Sequence, residues 1–109
     1  MTKSKIESYI GFAIRARKIR LGSGAISTLR GGVDLLILDG TAAKNSQRLA
    51  LKFKNRFSCP LIVCESGFSD LVGKPDCKLA AICDKSLSGA ILDNLDGNFR
   101  LYLSGGDNK

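Results

Sequence analysis

The sequence contains no histidine and no tryptophan, only two prolines, and no long apolar run. Without histidine it lacks the commonest acid–base side chain and the commonest transition-metal ligand, so an enzymatic reading starts at a disadvantage. No stretch reaches the roughly 18–20 apolar residues needed to cross a bilayer. The basic start leads into residues 6–14, which Glu7 and Ser8 interrupt. That pattern is amphipathic rather than the apolar centre of a signal peptide, and the expected location is the cytoplasm. Four cysteines, Cys59, Cys64, Cys77 and Cys83, stand five, thirteen and six residues apart, unlike the close pairs of a zinc site. They read as small buried hydrophobes in a reducing compartment, and neither metal nor cofactor is expected.

What the chain does have is positive charge, placed on one side of the sequence. Residues 1–56 carry twelve Lys and Arg against three Asp and Glu, a net of +9, whereas residues 57–109 carry a net of −2. A folded domain with one cationic half suits a polyanion, most often nucleic acid. A solvated, solubilising surface is the competing explanation. The length of 109 residues and an apolar fraction of 44% fit one domain with a real core.

Ile6, Tyr9, Ile10, Ala13 and Ile14 follow helical spacing, which predicts a helix over residues 4–17 with Ser4 as cap and Glu7 completing a capping box. Residues 19–21 read as a short extended piece. Ser23 is the expected cap of a second helix that Gly31 and Gly32 stop. Residues 33–38, V-D-L-L-I-L, predict a strand buried on both faces. Asn45 or Ser46 is expected to cap a third helix burying Leu49, Phe53 and Phe57. Residues 60–64 and 79–83 predict two more buried strands, with a helical turn over 69–72 between them. Ser86 is expected to cap a last helix carrying Leu87, Ala90, Ile91 and Leu95. Residues 101–103 are either a late strand or unstructured. The alternation predicts a single-domain, three-layer α/β/α sandwich with a small sheet, over residues 1–100, and a disordered tail over 101–109.

Residues 15–30, R-A-R-K-I-R-L-G-S-G-A-I-S-T-L-R, carry the densest chemistry. Arg15, Arg17, Lys18 and Arg20 precede a Gly22-Ser23-Gly24 turn into a helix. Helix starts have unpaired N–H groups and the positive end of the dipole, and residues without Cβ let a phosphate approach. Ser23 and Ser27 add hydroxyls. An ordinary glycine-containing helix start with solvated arginines is the alternative. Lys44, Arg48, Lys52 and Arg56 recur every four residues, one cationic stripe on a helix or simply its solvated face.

A dinucleotide-binding turn requires G-x-G-x-x-G, and here Ser27 stands in the third glycine's place. There is no phosphate-loop motif either, because Gly73-Lys74 is followed by Pro75. With no histidine to activate a nucleophile, a non-enzyme is expected. A protein-interaction adaptor, using the acidic second half and Ile91-Leu92, is the other alternative.

The order of these pieces resembles a known family. I-G-F-A-I-R-A-R-K is followed by L-R-G-G-V-D-L-L-I-L-D, then C-P-L-I-V-C, L-V-G-K and K-L-A-A-I-C-D-K. Over about residues 4–95 the chain is similar to the kink-turn RNA-binding ribosomal proteins of the "seven-Ae" type, and more closely to their small bacterial YlxQ-type relatives. The resemblance implies an α/β/α sandwich around a mixed sheet. It also implies RNA binding through the helix beginning at Ser23 and through the loop before the last core strand, where Lys74 and Lys78 would touch phosphate. Gly22, Ser23 and Ser27 match the family's glycine, small polar residue and threonine. Gly24, Ala25 and Thr28 replace its asparagine, glutamate and lysine. Neither Gly24 nor Ala25 has a side-chain donor or acceptor to read a base edge, which should forfeit roughly 1–3 kcal/mol of discrimination. The expectation is a ribosome-associated or other structured-RNA-binding protein with weak or altered kink-turn preference. Its grip would be Arg17, Lys18, Arg20, Gly22, Ser23, Gly24, Ser27, Lys74 and Lys78.

Overall fold

Near-continuous apolar strands require cover on both faces, and the helices supply it. The structure, a computed structural model, describes residues 5–102. In chain order it consists of α1 (Lys5–Arg15), β1 (Ile19–Leu21), α2 (Ser23–Ser27), β2 (Leu35–Asp39) and α3 (Lys44–Phe57). There follow β3 (Leu61–Cys64), α4 (Phe68–Val72), β4 (Leu79–Ile82), α5 (Lys85–Leu92) and β5 (Phe99–Leu101).

The five strands form one sheet in the order β1-β4-β2-β3-β5. Only β2 and β3 are parallel; β1 with β4, β2 with β4 and β3 with β5 are antiparallel. Side chains alternate across a strand, so each strand feeds two cores. Leu35 and Ile37 of β2 join Ala80 and Ile82 of β4 beneath α1, α4 and α5, where Ile6, Ile10, Phe68 and Ile91 close the layer. Leu36 and Leu38 join Leu79 and Ala81 on the other face, under Ile26 of α2 and Ala50 and Phe53 of α3. The result is a single-domain α/β/α sandwich around a mixed sheet, as the alternation of elements requires.

The helix ends differ from the sequence expectation. Ser23 is the first residue of α2, and Gly22 is its cap; α3 is capped by Ala43 rather than Asn45 or Ser46. Neither cap makes a side-chain hydrogen bond. Asp84, not Ser86, caps α5, its Oδ1 accepting from the Leu87 N–H at 2.9 Å. Aspartate is as good a cap as serine, and it stands where the chain leaves β4. The second helix ends far short of Gly31, since Ser27 and Thr28 hydroxyls donate back to the Gly24 and Ala25 carbonyls.

Helix α1 stops at Arg15 rather than residue 17 because Arg17 adopts a left-handed conformation (φ 60°). The Arg17 N–H bonds to the Ile14 carbonyl and the Lys18 N–H to the Ala13 carbonyl, a Schellman closure. In α3 it is Ala50 and Phe53 that are buried, while Leu49 and Phe57 are half-buried. The late strand is β5, at residues 99–101. Ser4 and the tail from residue 103 lie outside the described residues. Among the described residues no helix is long and apolar enough to cross a membrane.

Candidate nucleic-acid interface

At the carboxyl ends of β1 and β2 the chain opens a cleft of about 420 Å³. Gly22, Ser23 and Gly24 form one wall, Ser46 and Leu49 of α3 another, and residues 74–79 the third. Antiparallel pairing puts these segments together. The Gly22 N–H donates to the Leu79 carbonyl at the start of β4, and the Asp39 N–H donates to Lys78 on the other side.

The third wall is shaped by two turns. Gly73 (φ 71°) closes α4, with the Lys74 N–H bonded to the Ser69 carbonyl and its own N–H to Asp70, so Lys74 leaves the helix in a fixed direction. Pro75 and Asp76 then occupy a tight turn closed by the Cys77 N–H on the Lys74 carbonyl, with Asp76 at φ 62°. Across the cleft the Lys74 ammonium lies 3.6 Å from where a Cβ on Gly22 would be. Lys74 makes no ion pair among the described residues.

Lys78 is held differently. Its Nζ is 3.5 Å from Asp39 Oδ2 and 3.4 Å from Thr41 Oγ1. Asp39 is 6% exposed, and its Oδ1 accepts from both the Thr41 N–H and hydroxyl at 2.8 Å. Burial pushes the Asp39 carboxyl up, but the Thr41 hydrogen bonds and the Lys78 ammonium outweigh it and hold it below its ordinary value. The pair anchors the cleft floor and spends part of Lys78's charge.

Two helices begin at this cleft. The first turn of α3 carries no acidic residue and no side-chain cap, and Ser46 of that turn borders the same cleft as the Gly22 turn. The arrangement is suited to an anion with several oxygen atoms. Asp76 lines the cleft as well and limits how much negative charge enters.

The predicted site residues separate into two groups. Gly22, Ser23, Gly24, Lys74 and Lys78 line the cleft together. Ser27 is exposed nearby on α2, but its hydroxyl donates to the Gly24 carbonyl and is not free to donate elsewhere. Arg17, Lys18 and Arg20 do not line the cleft. The Lys18 carbonyl accepts from Cys83 at the far end of β4, four residues of antiparallel ladder from the Gly22–Leu79 bond, or about 13 Å. Arg20 folds back on its own strand, donating to the Arg17 and Ile19 carbonyls at 3.3 and 3.2 Å. In the cationic stripe, Lys44, Arg48 and Lys52 are exposed, but Arg56 donates to the Ser27 and Leu29 carbonyls at 3.2 and 2.7 Å and ties α3 to the end of α2.

Ser46, Leu49, Asp39 and Thr41 were not among the expected site residues. Asp39-Gly40-Thr41 has the spacing of an Asx turn, the one sequence signal that points to them. All four cysteines are free. Burial pushes the Cys59 and Cys64 thiols up to about 11 and raises Cys83. No group of three metal-ligating side chains occurs among the described residues.

No family model and no curated protein matches the sequence. A solved protein of unknown function from Bacillus halodurans is similar in structure, with a TM-score of 0.69 and 22% identity. The match covers 84% of this chain and 96% of that one, and what the two share is the fold.

Proposed function

We propose that this chain is a non-enzymatic, cytoplasmic RNA-binding protein, ribosome-associated or bound to another structured RNA, with weak or altered kink-turn preference. The observation that carries the reading is the meeting of the Gly22-Ser23-Gly24 turn with Lys74 and Lys78 in one cleft. Backbone amides, two helix starts and an ammonium with no ion pair among the described residues suit a sugar-phosphate chain. The net charge of +7 favours a polyanion approaching from a distance.

Exposed Gly24 and Ala25 explain the altered preference. Gly24 has open space where a Cβ would be, and neither residue offers a polar side-chain atom to a base edge. Affinity then rests on phosphate contacts, which do not depend on base identity.

Ultraviolet crosslinking in cells, followed by sequencing of the bound RNA and mass spectrometry of the crosslinked peptides, tests the reading. Adducts on residues 22–29 or 74–78 are expected. Recovery of a protein partner that survives nuclease treatment, with no RNA adduct, would instead favour a protein-interaction adaptor on the same scaffold.

A further inference from the structure

We propose that the outer face of α3 is a phosphate track, on which Lys44, Arg48 and Lys52 hold the backbone of an RNA arm that continues from the cleft. The inference rests on the RNA-binding reading above and extends it to a surface the cleft does not include.

The two helical layers differ in charge. On one face of the sheet, α1, α4 and α5 carry Lys5, Arg15 and Lys85 against Glu7 and Asp70, a net of +1. On the other face, α2 carries no charged residue, and α3 carries five cations and no carboxylate. The fold thus concentrates cations on one helix of one layer.

Those five are not alike. Lys54 is half-buried, and Arg56 is held by the Ser27 and Leu29 carbonyls. Lys44, Arg48 and Lys52 are exposed, and no ion pair neutralises them among the described residues. Standing four apart, they share one face and follow one another at steps of about 6 Å along the axis. Like charges at this spacing oppose the helix. A face that only keeps a protein soluble mixes both signs, and this one does not. Bound phosphates would remove the repulsion.

The row reaches the cleft. Leu49 lines the cleft, and Lys52, three residues further along the helix, is its neighbour at about 5–6 Å between Cβ atoms. Arg56, four residues beyond Lys52, ties that side of α3 to the end of α2. The row therefore runs outward from the α2 side, through Arg48 to Lys44. A strand gripped at Gly22 and Lys74 meets it on leaving the cleft. The apolar face of α3 is occupied by the core through Ala50 and Phe53, so the helix has nothing to insert into a lipid surface, and a polyanionic chain is the partner that fits.

The test is fluorescence anisotropy of the intact protein with two labelled RNAs, a kink-turn trimmed to its core and the same kink-turn with one arm lengthened by a helical turn, each at two salt concentrations. The variants are the triple Lys44→Gln/Arg48→Gln/Lys52→Gln, a charge-matched triple on the opposite layer, Lys5→Gln/Arg15→Gln/Lys85→Gln, and Lys74→Ala. The α3 triple should bind the lengthened RNA about tenfold more weakly and lower its slope of log affinity against log salt by about 2, with little change on the trimmed RNA. The matched triple should weaken binding far less, and Lys74→Ala should weaken both RNAs. Because like charges are removed from one helix face, the α3 triple should melt at or above the parent temperature, which separates lost binding from lost folding. Equal losses in the two triples, or parent affinity in the α3 triple together with weakened binding in Lys74→Ala, would overturn this inference and leave the cleft reading standing. Absence of RNA binding by the parent protein would overturn both.

Discussion

The Lys74 ammonium lies over Gly22, 3.6 Å from the position of a Cβ on that residue. Gly22 has φ 91° and ψ 149°, a region open essentially to glycine alone. One residue thus combines a turn no other side chain permits with the close approach of a cation. Gly22→Ala should cost about 1–3 kcal/mol of stability in urea unfolding and displace Lys74. Gly24→Ala, inside α2 with open space around it, should be neutral or slightly stabilising by the same measurement.

Asp39 links stability to pH. Its carboxyl is held below the ordinary value in the folded protein, so the unfolded chain binds its proton first as pH falls. The stabilisation is therefore fully present above the ordinary carboxylate value, near 4, and is lost as pH drops through the lower folded value. Asp39→Asn should destabilise the protein by about 2 kcal/mol at neutral pH, and the gap to the parent should shrink in acid. A gap independent of pH in denaturant titrations would contradict this.

The thiols report on both cores. Cys59 and Cys64 are buried and pushed up to about 11, so little thiolate forms at pH 8. Cys83 is part-exposed, and burial raises its thiol while the Arg20 and Lys18 charges oppose the rise. Iodoacetamide followed by mass spectrometry should label Cys83 first, and Cys59 and Cys64 only in denaturant.

Arg56 and Arg48 look equivalent in the sequence and should behave differently. Arg56→Ala removes two hydrogen bonds to carbonyls at and just past the end of α2 and should cost about 1 kcal/mol in urea unfolding. Arg48→Ala, on the exposed face of α3, should leave stability within about 0.5 kcal/mol of the parent.

The layer architecture was legible because it depends on patterns local to each element. The apolar run at residues 33–38 announces a doubly covered strand, and Ile6, Ile10 and Ala13 announce the face of α1 that meets the sheet. The insertion of β4 between β1 and β2 was not legible, since it depends on pairing Leu21 with Ala80 and Leu38 with Leu79 across tens of residues. That pairing decides the site. It brings Lys74 to Gly22 and carries Lys18 to the opposite end of β4, although Lys18 is far nearer to Gly22 in sequence. The Asp39–Lys78 pair escaped for the same reason. The caps were misplaced because Gly22 and Ala43 begin their helices without a side-chain hydrogen bond, so no capping residue marks those starts in the sequence, and at α5 Asp84 takes the place expected of Ser86.

The most direct measurement is titration of labelled kink-turn RNA and plain duplex RNA with the parent protein and Lys74→Glu, at two salt concentrations. Both RNAs should bind, with a small preference for the kink-turn and affinity falling steeply as salt rises, and Lys74→Glu should weaken both by about tenfold. No binding at low salt, or equal affinity for the parent and Lys74→Glu, would contradict the assignment of the cleft to RNA.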